Sequence, residues 1–132
     1  MTINNPYKAY QQNSVTTASP GELTLMLYNG CIKFIGKAIT AIEGNNISER
    51  NTNIQKAQNI IRELMVTLNM DMEVSKNMMV LYDYVLDRLT YANVKNNVQA
   101  LKDAESLVIE FRDTWKQVIQ LNRQKQYQGG SA

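Results

Sequence analysis

Ser19-Pro20-Gly21-Glu22-Leu23-Thr24-Leu25-Met26-Leu27-Tyr28-Asn29-Gly30-Cys31-Ile32-Lys33-Phe34-Ile35 carries the start of the first long helix. Serine can cap the first free amides, proline suits the first helical position, and Glu22 stands where it can close a capping box. From there to Glu43, Leu23, Met26, Leu27, Cys31, Phe34, Ala38 and Ile42 recur at steps of three and four, the period of a buried helical face. Gly44-Asn45-Asn46 then ends the helix with residues that tolerate a left-handed backbone.

Three more helices follow by the same reading. Ser48 can cap a second, with Ile54, Ala57, Ile61, Leu64, Met65 and Leu68 inward and an end near Asn69. Ser75 can start a third, with Met78, Tyr82, Val85, Leu86, Leu89 and Ala92 inward and a close between Asn93 and Asn97. The fourth begins near Val98 and shows Leu101, Ala104, Val108, Phe111, Trp115, Val118, Ile119 and Asn122 on one stripe. No strand-like alternation competes. Helices of roughly 20 residues, about 30 Å each, joined by short loops predict an all-α, antiparallel up-down four-helix bundle. Residues 1–18, polar apart from Ile3, Tyr7, Tyr10 and Val15, form an N-terminal arm or short helix. Residues 19–124 form the bundle, and 125–132, ending in Gly-Gly-Ser-Ala, read as a disordered tail.

Composition removes whole classes of function. The 132 residues suit one domain; 44% are hydrophobic and 20% charged, neither a disordered nor a membrane composition. The N-terminus has no basic and apolar leader, and no long uninterrupted apolar run is present, so a cytoplasmic protein without membrane insertion is expected. There are no histidines, which argues against the di-metal, haem and phosphohistidine chemistries common in helical bundles. Cys31 is the single cysteine; it falls on an inward position, and with no histidine to activate it an inert core thiol is the simpler reading. A net charge of +2 without a Lys/Arg run speaks against nucleic acid as partner. Asp83 and Asp87 stand one turn apart, more simply a solvated face than an acid-base dyad. Neither an enzyme nor a cofactor or metal site is expected.

The apolar residues left over are where function can be read. At about 100° per residue, Leu25, Ile32 and Ile39 fall a heptad apart, roughly opposite the Leu23-Leu27-Phe34 face, with Tyr28 and Ile35 beside them. On the third helix Val80, Tyr84 and Tyr91 form a second outer stripe. A helix apolar nearly all round must be covered on both sides. Either the arm or a loop covers it permanently, or the surface is a groove for a partner's amphipathic segment, fixed and open or lidded by a displaceable arm with Ile3, Tyr7, Tyr10 and Val15. The seven methionines suit an adaptable surface, but most sit at inward positions and are better explained as core filler. Trp115 reads as a core anchor.

The run Val15-Thr16-Thr17-Ala18-Ser19-Pro20, then Leu23 and Met26-Leu27-Tyr28-Asn29-Gly30, resembles the signature of the flagellar secretion chaperones, the FliS family. Asn5-Pro6-Tyr7, Ala57-Gln58-Asn59-Ile60-Ile61, Tyr82-Asp83-Tyr84 and Phe111-Arg112-Asp113-Thr114-Trp115-Lys116 extend the resemblance to Gram-positive members over nearly the whole chain. Asn29 and Cys31 stand where Asp and Ala are common in that family, with little change of helical character or size.

The resemblance implies a four-helix bundle with an N-terminal segment. It also implies a cytoplasmic chaperone that binds the disordered C-terminal segment of flagellin, prevents premature polymerisation and delivers it to a component of the export gate. On that view Tyr7, Tyr10, Leu25, Tyr28, Ile32, Ile35, Ile39, Val80, Tyr84 and Tyr91 are the expected partner-binding residues. The rival expectation is a self-associating structural or regulatory protein, a homodimer formed through the same stripes.

Overall fold

A computed structural model describes residues 19–130 of the chain. Four helices run in order: α1 (Pro20–Glu43), α2 (Ile47–Val66), α3 (Glu73–Lys95) and α4 (Val98–Gly130). Each packs against its neighbours in a closed ring, α1 on α2 and α4, α3 on α2 and α4, which is the up-down four-helix bundle. The expected Tyr7 and Tyr10 lie outside the described residues, as does the rest of 1–18 and the last two residues.

Local signals explain where the helices begin and end. The Ser19 hydroxyl accepts from the Glu22 amide at 3.2 Å, one half of the expected capping box, while the Glu22 carboxylate pairs with Arg123 of α4. At the other end of α1 the left-handed residue is Asn45, at φ 56°, not Gly44. Asn46 caps α2, its side-chain oxygen accepting from the Glu49 amide at 3.0 Å, so α2 starts before Ser48. The second helix also stops short of Asn69. The Thr67 hydroxyl donates to Leu64 O at 2.6 Å, and the amides of Thr67 and Leu68 reach back only three residues, tightening the last turn. Met72 is the cap residue of α3 without a side-chain bond; Ser75 is buried in the first turn instead of capping it.

Asn96, left-handed at φ 51°, ends α3, and the Asn97 side chain accepts from the Ala100 amide at 2.9 Å to start α4. Helix α4 then runs to Gly130, through residues 125–130 that the sequence assigns to a disordered tail. Its 33 residues span about 50 Å against about 36 Å for the 24 of α1. The two helix ends therefore cannot be flush.

The two ends of the bundle differ accordingly. Where α1 meets α2 and α3 meets α4, the turns are short and a polar network closes them. Arg50 donates to Asn93 at 3.0 Å and to Asn96 at 2.8 Å, and Asn93 donates to Asn51 at 2.8 Å. At the opposite end, residues 67–72 make the longer connection, and α4 continues past it. Between the ends lies one core, with Cys31, Ile35 and Ala38 of α1, Ile54, Ile60 and Ile61 of α2, Val85 and Leu89 of α3 and Leu101 and Val108 of α4 completely buried.

Among the described residues, Gly21–Glu43 is long and apolar enough by length and composition to cross a membrane, which the sequence reading did not anticipate. Its packing is that of a core helix, shared between α2 and α4. Gly36 in its middle has no heavy atom within 4 Å of where a Cβ would stand. Gly36→Ala is therefore expected to stabilise the protein by about 0.5–1 kcal/mol through helix propensity alone, read as an increased midpoint in urea unfolding.

Candidate partner-binding surfaces

At the open end, all four helices contribute to one large groove of about 1250 Å³. Helix α1 brings Leu23, Leu27 and Tyr28 to it, and the end of α2 brings Leu64 and Leu68. Met72, Met78, Leu81 and Tyr82 come from the start of α3 and its approach, and Leu107, Phe111, Trp115 and Val118 from α4. The groove exists because α4 outruns its neighbours: its inward stripe continues past the point where α2 has ended and α3 has not begun. The charged residues that line it are Glu63, Glu110 and Asp113, all acidic. Arg112 sits 3.0 Å from Asp113, and among the described residues Glu63 and Glu110 are the lining carboxylates without an ion pair.

The lip of the groove is fixed by two ties between α1 and α4. The Trp115 indole donates to the Gly21 carbonyl at 2.7 Å, and Arg123, eight residues further along α4, pairs with Glu22. A Cβ on Gly21 would stand 3.5 Å from Ile119 and 3.9 Å from Trp115, ordinary contact distances, so α1 and α4 lie in direct contact here. The arm joins the chain at Ser19, beside this lip.

The residues expected to bind a partner separate into three groups. Tyr28 and Ile35 are not surface residues: Tyr28 is 4% exposed and Ile35 fully buried, both within the core cluster. The physical reason is that α1 packs more extensively on its two neighbours than α3 does on the same pair, so its buried arc is wider than one stripe and takes in the positions beside the Leu27-Phe34 face. Leu25, Ile32 and Ile39 occupy the flank of that arc and are half-buried, with Ile32 and Ile39 packed onto the core. Val80, Tyr84 and Tyr91 are exposed at 67%, 46% and 41% on the outside of α3. Arg88 lies against both tyrosines, its guanidinium carbon 4.8 Å from the Tyr91 ring centre and 5.9 Å from that of Tyr84. Because α1 and α3 stand diagonally in the ring, these two outer surfaces face away from each other.

The groove itself was missed by the sequence reading. Leu107, Phe111, Trp115 and Met78 carry the helical period of a core and give no sign that part of that core is left open. The one available signal is the length of the fourth apolar stripe compared with the second.

Among the described residues no group of three or more histidine, cysteine, aspartate or glutamate side chains could hold a metal ion. Burial pushes the Cys31 thiol up to about 12, and its sulfur lies 3.8 Å from the Ala57 carbonyl. The thiol thus stays protonated and unreactive in the folded protein. Its folded pKa is raised above the ordinary 9.0, so its contribution to stability is complete below pH 9 and is lost as pH rises toward 12. Chemical unfolding followed at pH 8 and pH 10.5 should show stability falling, by up to about 1.4 kcal/mol per pH unit from this group. The fall should be shallower in Cys31→Ala.

The chain matches known proteins at the level of family, of individual relatives and of fold. Residues 3–122 match the family model described as flagellar protein FliS. The chain is 55% identical over 130 residues to the flagellar secretion chaperone FliS of Bacillus subtilis (strain 168), covering 98% of each protein. It is 32% identical over 111 residues to the chaperone of the same name from Escherichia coli (strain K12), covering 82% of each. Among solved structures, one titled as a flagellar chaperone from bacteria superposes with a TM-score of 0.72 over 87% of this chain and 95% of that one. At 20% identity that likeness concerns the fold.

Proposed function

Because the chain belongs to the FliS family of flagellar secretion chaperones, and so to a chaperone and not an enzyme family, we propose that the groove at the open end is the seat of its client, the C-terminal segment of flagellin. The observation that carries the reading is the groove itself. A disordered segment loses chain entropy when it binds, and only a large apolar surface offsets that loss. A cavity of about 1250 Å³ lined by leucine, methionine, phenylalanine and tryptophan side chains offers such a surface. Its acidic lining favours a client segment with a basic residue among its apolar ones.

The client continues from the groove onto the half-buried flank of α1 at Leu25, Ile32 and Ile39 and the outside of α3 at Val80, Tyr84 and Tyr91. A single straight helix cannot touch both of these diagonal surfaces; a flexible tail, bending at the open end, can. The arm, with Tyr7 and Tyr10, joins the bundle beside the groove and covers part of it until the client arrives. Occupying a surface that flagellin uses for self-assembly blocks polymerisation in the cytoplasm by competition, with no nucleotide required. The complex then presents its client to the export gate.

The test is calorimetry of the full chain with a synthetic peptide of the C-terminal segment of flagellin from the same organism. We expect one-to-one binding with a negative heat-capacity change. Leu81→Glu, at the groove, should weaken it about tenfold or more. Val66→Glu, 79% exposed and outside the groove lining, should bind as the unaltered chain does. Ile32→Asp and Tyr84→Asp report whether the peptide reaches the two flanks. A peptide that gives no heat and does not co-sediment with the chain would sink the proposal.

A further inference from the structure

Two buried phenols meet among the residues that line the groove. Tyr28 of α1 and Tyr82 of α3 meet across the diagonal of the bundle with their hydroxyl oxygens 2.7 Å apart. Phe111 of α4 holds both rings, edge-on to Tyr82 at 5.4 Å and tilted against Tyr28 at 6.0 Å. Both tyrosines line the groove.

A phenol carries one proton and can donate one hydrogen bond. Two phenols carry two, and the bond between them uses only one. Among the described residues neither hydroxyl has a second partner, and the nearby Cys31 sulfur is turned to the Ala57 carbonyl. One O–H is therefore left uncommitted on a pair of which Tyr28 is 4% and Tyr82 2% exposed, where an unpaired donor is costly. Burial pushes both phenols above their ordinary range, so neither proton is given up near neutral pH.

We propose that the Tyr28–Tyr82 pair is the reading point of the groove: it donates one hydrogen bond to a carbonyl oxygen on the buried face of the client segment and so sets which segment fits. The inference rests on the reading of the groove as the client's seat. An occupant with only aliphatic groups at this position would leave the donor unpaired, and a site built around a donor discriminates strongly against partners that lack the acceptor. Apolar contacts elsewhere in the groove supply affinity, and this one point supplies register, because a helical client shifted by one residue would carry its acceptor round by about 100°.

The test compares binding of the flagellin C-terminal peptide to the unaltered full chain, Tyr28→Phe, Tyr82→Phe and the double variant, with Val66→Ala, exposed and outside the groove lining, as control. The double variant should lose about ten- to a hundredfold in affinity while its circular dichroism remains that of the unaltered chain. The single variants separate the donor from its supporter: replacing the residue whose proton faces the client should cost most of the effect, and replacing the other should cost less. A purely structural role would lower the melting temperature of the double variant and leave the affinity of the folded protein unchanged, and that result overturns the inference. If the unaltered chain fails to bind the peptide, the reading of the groove falls first, which is a different outcome from an unaltered chain and a double variant that bind equally.

Discussion

The packing of α1 against two helices at once is the constraint on which the rest of the molecule depends. A helix with one neighbour can be apolar along a stripe; a helix wedged between α2 and α4 must be apolar over a wide arc, or leave polar groups buried without partners. The sequence from Leu23 to Ile42 meets that demand with aliphatic and aromatic side chains on nearly every inward and flanking position. The cost is a helix that cannot stand alone in water, and its flank at Leu25, Ile32 and Ile39 remains only half covered. The same wedging carries Tyr28 far enough inward to reach Tyr82 on the opposite helix.

The architecture was legible in the sequence because helical period, asparagine-rich turns and serine-proline starts all point the same way. What misled was local competition between capping residues. Ser48 and Ser75 both read as caps, yet Asn46 and Met72 hold those positions. In the first case a left-handed Asn45 turns the chain early and delivers Asn46 to the cap; in the second Ser75 is drawn into the buried first turn of α3. The surplus of apolar residues on the first helix was legible as surplus for a single stripe, but its division between core and surface was not: Ile35 is fully buried and Tyr28 lies in the core while lining the groove, since counting residues on one helix does not reveal how closely its neighbours will pack. The outer stripe of α3 was legible because Val80, Tyr84 and Tyr91 interrupt a run that is otherwise polar on that side.

The groove belongs to a kind of feature that sequence period hides. Four elements build it, and each contributes residues whose spacing is that of ordinary core. Openness arises from the unequal ends of α2, α3 and α4, and those ends are set by Thr67, by the connection from 67 to 72 and by the continuation of α4 to Gly130. An asymmetric bundle follows, locked by Arg50 and its asparagines at one end and unfilled at the other. A receptor for a flexible chain benefits from that division, because the locked end keeps the frame rigid while the unfilled end supplies contact area.

Trp115 is the sole tryptophan of the chain, and its indole is pinned to the Gly21 carbonyl on the lip of the groove. The molecule therefore carries its own optical probe on the lip of the groove. When an apolar segment settles over that ring and displaces solvent, the near-ultraviolet emission should move to shorter wavelength. Loading and release could then be timed in an unlabelled sample, provided that the incoming chain lacks indole of its own.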